Sequence, residues 1–178
     1  LDFDDLRLYA PGDDVRHIDW NVTARTGKPH TRLYREERER AMTIAVDFRA
    51  SMFTGSAMLR AVAAGELAAA VLWQAARDGD RTGAAAWSGG TVTANRPASG
   101  DKGALSCAGL LADGFSQARG VADQETGTGL DRFLGWINGA GRAAGAALLV
   151  TGLDDPGDGF AAAIGEAGKR RKLAILHI

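Results

Sequence analysis

The chain has 178 residues with 21 basic and 22 acidic side chains, a length that suits one main domain with a sizeable core and excludes two full domains. Its near-neutral balance gives no electrostatic case for nucleic acid or an anionic membrane surface, and apolar-leaning runs such as 67–76 and 143–153 fall well short of the roughly 18 to 20 residues of a membrane span. The single cysteine, Cys107, excludes an intramolecular disulfide and fits a reducing compartment, so a cytoplasmic location is expected.

Charge is unevenly spread. Residues 1–40 hold eight basic and nine acidic side chains, 17 of the chain's 43 charged groups, and the remainder is rich in Ala and Gly. Within 6–26, LRLYAPGDDVRHIDWNVTART, Asp13, Asp14 and Asp19 alternate with Arg7, Arg16 and Arg25, while Tyr9, Ile18 and Trp20 supply apolar bodies around a Pro-Gly turn. Opposite charges can pair there over a small apolar patch, which predicts a folded clamp or docking surface rather than a solvated loop. Structural ion pairs and partner docking are both consistent with the pattern; carboxylate metal chemistry is opposed by the three arginines. Tyr9 and Trp20 are expected to anchor residues 1–40 on a main domain at 41–178, so that truncating Trp20 would cost about 3 to 5 kcal/mol. Their aromatic edges would equally suit a partner hot spot.

The apolar run 42–46, ending in Asp47, reads as a buried strand whose tip meets solvent. Residues 59–76 carry Leu59, Val62, Ala63, Leu67, Ala70 and Val71 at helical spacing and predict a largely buried helix. Next come a strand at 82–87, a turn at 88–90 and a second strand at 91–95, which make an antiparallel edge hairpin. Helices are expected near 104–112 and at 130–138, with a Gly- and Asp-rich loop between them. A strand at 146–150, a loop at 151–159, a helix near 160–168 and a last strand at 173–178 complete the chain. This alternation predicts an open, mostly parallel α/β sheet with helices on both faces. Ligands of such sheets bind at the C-terminal strand tips, here Asp47, the loop around Thr128, and Thr151 with Gly152.

The run from Leu6 to Thr26 resembles the signature of the bacterial domain-of-unknown-function family fifty-eight, L-R-x-Y-x-P-G-D-D-x-R-x-I-D-W-x-x-x-A-R-T, which precedes a von Willebrand factor A-like domain. The resemblance implies that fold for 41–178. It also implies a divalent-ion site built from D-x-S-x-S after the first strand, a Thr from a later loop and an Asp after the central strand, oxygen ligands that suit Mg²⁺. This chain keeps Asp47, Ser51 and, by alignment of 127–130, Thr128; Arg49 replaces the first Ser and Gly152 the second Asp. An arginine has donors but no lone pair for a cation, so a degenerate, metal-free site is expected, with Arg49 on Asp47 in the room that Gly152 leaves. Asp154 and Asp155 are the evident rescue ligands. Without an ion, Asp47 and Ser51 could serve only as helix caps and loop anchors.

Other signals fail on context. The glycine pattern of 139–144 precedes a strand instead of following one, which is wrong for dinucleotide binding, and no phosphate-cradling Walker loop is present. Cys107 lies in an apolar helix and reads as core filler. The basic run 169–172 sits at a helix end, where cations complement the macrodipole. The resemblance therefore implies a non-enzymatic, cofactor-free adaptor or co-chaperone of a MoxR-type AAA+ ATPase. Two alternatives are a metal-dependent hydrolase using the N-terminal aspartates and a small-molecule sensor at the strand tips. Since the chain begins at Leu1 rather than Met, a targeting segment or membrane tether of the kind some relatives carry would lie outside it.

Overall fold

The computed structural model describes residues 2–35, 40–88, 90–121, 129–140 and 145–178. The chain divides into two compact units, Leu1–Arg38 and Glu39–Ile178.

In the first unit, strands β1 (Asp2–Leu8) and β2 (His30–Arg35) pair antiparallel. A 3-10 turn at Val15–His17 and helix α1 (Trp20–Thr26) fill the connection between them. The aspartates build this connection. Asp14 caps the 3-10 turn by accepting from the Arg16 amide, and Asp19 caps α1 by accepting from the amides of Asn21 and Val22. Each cap satisfies an N–H that the first turn leaves without a partner. Trp20, expected as a buried anchor, is 68% exposed. It stands at the first position of a two-turn helix, where the backbone is held by Asp19 and needs no help from indole burial.

The second unit is a five-stranded sheet of order β5-β4-β3-β6-β7, formed by β3 (Ala41–Asp47), β4 (Arg81–Ser88), β5 (Thr91–Ala94), β6 (Ala146–Thr151) and β7 (Lys172–His177). All neighbours are parallel except the β4–β5 hairpin. Helices α2 (Arg60–Arg77) and α3 (Gly100–Val121) contribute Ala64, Leu72, Cys107 and Leu111 to a core that also takes Ile44, Val46, Ala84 and Ala86. Helices α4 (Leu130–Ala140) and α5 (Phe160–Arg170) cover the alternate residues, Ala45, Ala85, Trp87, Ala147 and Leu149. Period-2 alternation in the central strands therefore distributes them between two helical layers, as the near-continuous apolar runs of a two-sided parallel sheet require.

Helix α3, Gly100–Val121, is longer than the expected 104–112 and continues through Gly114. A Cβ built at Gly114 would lie 2.5 Å from Ala86 Cβ, so this glycine lets the helix press onto β4. Gly109, on the same helix, faces open space. The two positions give opposed predictions. Gly114→Ala should destabilise the unit by about 1 to 3 kcal/mol through overpacking, while Gly109→Ala should stabilise it by roughly 0.5 to 1 kcal/mol through helix propensity. Urea unfolding would measure both, and equal effects would rule out the close approach at Gly114.

Candidate functional site

The strand tips of the second unit are closed by an ion pair. Asp47 ends β3 fully buried, and Arg49, two residues on, folds back over it. Arg49 donates from its amide and from Nε to Asp47 Oδ1, both at 3.0 Å, and from Nη2 to Oδ2 at 2.9 Å. Thr151, at the tip of β6, donates its hydroxyl to the same Oδ2 at 2.8 Å. A carboxylate offers about four acceptor sites, and these four bonds fill them.

Arg49 is equally engaged. Nη2 also donates to the Asp154 carbonyl at 2.7 Å and Nη1 to the Asp155 carbonyl at 3.2 Å, while the guanidinium stands 5.3 Å from the ring centroid of Trp87. The loop after β6 is bent to deliver those carbonyls. Leu153 (φ 58°) and Asp155 (φ 42°) both adopt left-handed backbone, which costs non-glycine residues roughly 1 to 2 kcal/mol each. Charge-assisted bonds to a buried guanidinium are strong enough to hold that strain.

This donor set does not fit a divalent ion. The Asp47 lone pairs are occupied, and a permanent cation already lies against them. Arg49 therefore pairs with Asp47 as expected, but the role assigned to Gly152 is corrected. A Cβ there would meet Arg60 Nη1 at 2.5 Å and Asp154 Oδ2 at 2.6 Å, so the side chains nearest the space left by Gly152 are Arg60 and Asp154 rather than Arg49. Arg60 Nη2 donates to Asp154 Oδ2 at 2.6 Å and to the Ser51 carbonyl at 2.7 Å. The carboxylate of Asp154, one expected rescue ligand, is thus tied to an arginine. The Ser51 hydroxyl is buried without a hydrogen-bond partner, so it caps nothing. Thr128 lies outside the described residues, as do 141–144 of the glycine pattern. Among the described residues no three His, Cys, Asp or Glu side chains gather as a metal site would need.

Thr151 was expected at a strand tip, whereas sequence reasoning missed Arg60 and Trp87. Arg60 carried one signal, because a cation in the first turn of a helix opposes the macrodipole and calls for a local carboxylate. Cys107 is fully buried, its thiol 3.4 Å from the Thr82 carbonyl, and desolvation pushes its pKa up. That environment disfavours a reactive thiolate. At the end of α5, Lys169 and Arg170 both pair with Glu166.

The three N-terminal candidate aspartates each pair with an arginine. Arg7 binds Asp13 at 2.6 Å and Arg16 binds Asp14 at 2.7 Å. Asp19 takes Arg32 of β2 at 2.8 Å, an arginine outside the 6–26 run, while Arg25 is exposed at the end of α1. Tyr9 is half-buried. Hydrogen bonds from the Arg16 side chain and amide hold the Asp14 carboxyl down at about 2. The Arg7 side chain, with the Ala10 amide, lowers Asp13; the Val22 amide, followed by Arg32, lowers Asp19.

Two predictions follow from these pairs. Removing Arg49 alone, as Arg49→Met, should cost about 3 to 5 kcal/mol because it strands a buried carboxylate. Adding Asp47→Leu should recover part of that loss in a double-mutant cycle, whereas additive losses would disprove the coupling. For Asp14, the depressed folded-state pKa means that the pair's contribution is complete above the unfolded value of about 3.9 and fades as pH falls through about 2. NMR titration should place the Asp14 midpoint near 2 and show it rising in Arg16→Gln; an unmoved midpoint would refute the pairing.

Comparison with known proteins gives a family and relatives without an activity. Relatives include uncharacterized proteins of Mycobacterium bovis and of two strains of Mycobacterium tuberculosis, each 44% identical over 91 residues. Those matches cover 49% of this chain and 28% of each relative, so the chain spans only part of the length of the curated proteins it matches. The family model described as "Protein of unknown function DUF58" matches residues 5–178, through both units and the whole strand-tip site, and the chain belongs to that family.

Proposed function

We propose that this chain is a von Willebrand factor A-like recognition module without enzymatic activity, serving as adaptor or co-chaperone of a MoxR-type AAA+ ATPase. The observation that carries this reading is the guanidinium on Asp47. At the strand tips, where a parallel α/β sheet offers its ligand site, the carboxylate is saturated by Arg49 and Thr151. It is left with no free lone pair to act as base, nucleophile or metal ligand. Recognition is then metal-independent and falls to other surfaces.

The N-terminal unit supplies one such surface. Trp20, Val15 and Leu8 are 68%, 58% and 53% exposed, while Arg7, Asp13, Asp14 and Arg16 pair locally around them in sequence. Exposed tryptophan with arginines nearby is the composition of interface hot spots. The hydrolase reading is weaker, because Asp13, Asp14 and Asp19 each accept from an arginine and a backbone amide. Those bonds fit caps and ion pairs better than metal ligands.

Capture of a MoxR-type ATPase by the purified chain tests the proposal. Capture should survive a chelator, and calorimetry of the chain with Mg²⁺ or Mn²⁺ should show no specific heat. Trp20→Ala and Arg16→Glu should each weaken capture at least about tenfold, as hot-spot changes do, with the thermal midpoint nearly unchanged. Micromolar metal binding abolished by Asp47→Ala, or capture indifferent to both variants, would overturn the reading.

A further inference from the structure

Helices α2 and α3 leave an apolar groove on the outside of their layer. They run antiparallel. Arg60, at the start of α2, reaches Ser51 at the strand tips. On α3, Cys107 lies against Thr82 at the foot of β4, and Gly114, two turns later, lies against Ala86 near its tip. The groove between the helices encloses about 370 Å³. Much of its lining is small, with Gly65 and Ala69 from α2 and Ala108 and Ala112 from α3 beside the larger Phe115, and the buried ring of Phe48 lies at its base.

Large apolar side chains extend the groove at one end. Trp73 follows Val62, Glu66 and Ala69 at helical spacing on one stripe of α2, and Leu105 stands one turn before Ala108 on α3. Because the helices are antiparallel, Trp73 and Leu105 fall at the same end, and they are 38% and 65% exposed. Among the described residues, Glu66 is the one ionisable side chain lining the groove.

We propose that this groove docks an amphipathic helix of another protein, one that presents bulky apolar side chains to the groove and a Lys or Arg to Glu66. The inference goes beyond the adaptor reading, since it holds whatever protein bears the helix. Small walls let a third helix approach closely, and a concave apolar trough is filled by a row of side chains, as in helix-in-groove recognition. A cation opposite Glu66 fixes the register and direction of that row. A second copy binding through the same face fits poorly, because two concave grooves cannot fill each other and Glu66 would bring its own charge to the contact. Helices α4 and α5 cannot supply the occupant, since their apolar residues are committed to the opposite face of the sheet.

Two synthetic helical peptides of about 14 residues provide the probe, each with leucines on one face and either a central Lys or a Glu in its place. NMR titration of the labelled 178-residue chain should show the Lys peptide shifting residues of α2 and α3, and binding the Glu peptide at least about tenfold more weakly, about 1.4 kcal/mol. Gly65→Leu is the blocking variant. Nothing lies within 4 Å of a Cβ at this position, so the substitution should keep or raise the melting temperature while cutting Lys-peptide affinity at least about tenfold. Glu66→Lys should reverse the preference between the peptides. The proposal fails if the Lys peptide leaves α2 and α3 unshifted at about 1 mM, if Gly65→Leu binds it equally well, or if the two peptides are not distinguished. Sedimentation showing a dimer that Gly65→Leu abolishes would assign the groove to a second copy and overturn it.

Discussion

A carboxylate buried at the end of the central strand must be neutralised, and much of the geometry at the strand tips follows from how this chain does it. Asp47 has essentially no exposure, and an unpaired charge in such a place is not tolerated. The cation comes from two residues away. Arg49 must double back to meet it, and in doing so it draws the carbonyls of Asp154 and Asp155 inward. The left-handed turns at Leu153 and Asp155 are a consequence of that demand. The same loop then presents Asp155 and Pro156 carbonyls to the first amides of α4, so one ion pair links β3, β6 and the start of a helix on the far layer.

A tethered cation differs physically from a diffusible one. A bound metal can leave, exchange, or share its coordination shell with an incoming carboxylate, and each of these makes recognition adjustable. A guanidinium fixed by its own backbone can do none of them. Its loss is possible only by mutation or unfolding, and its donors are already directed at internal oxygens. The site is therefore built for permanence, and a protein with a permanent strand tip must place any responsive chemistry elsewhere. Arg60 and Asp154 repeat the device one layer out, with partial exposure, where solvent screens the pair and its contribution is smaller.

The sheet was readable from sequence because parallel strands covered on both faces are continuous apolar runs, and 42–46 and 146–150 are such runs. The Asp47–Arg49 pair was readable because arginine chemistry leaves few alternatives beside a strand-tip aspartate. What was hidden depended on distance along the chain. Arg32 reaches Asp19 only because β2 folds back beside α1, and no spacing rule points to it. Gly152 was assigned to the wrong neighbour for the same reason, since Arg60 comes to it from a different element. The extension of α3 past residue 112 was hidden because the reason for Gly114, contact with Ala86 across a layer, lies outside the helix. The hairpin of the first unit was masked by its charge density, although Leu6 and Leu8 flank Arg7 with the period of a strand.

The abundance of Ala and Gly ties these observations together. Ala61, Ala64 and Ala68 let α2 lie close on the sheet, and Ala84, Ala85 and Ala86 leave β4 thin enough for two helical layers to approach it. Close approach of backbones improves dispersion contacts, but each small side chain removes less apolar surface from water than a leucine would. A core of this kind has less hydrophobic stabilisation to spare, which raises the relative weight of a strong internal ion pair. It also places small residues such as Gly65, Ala69, Ala108 and Ala112 along the facing sides of α2 and α3, which leaves space between them. The groove and the strand-tip bridge are then two results of one compositional choice: small residues set the layers close together, a buried salt bridge fastens the strand ends, and the trough left outside must be filled by large side chains from another molecule.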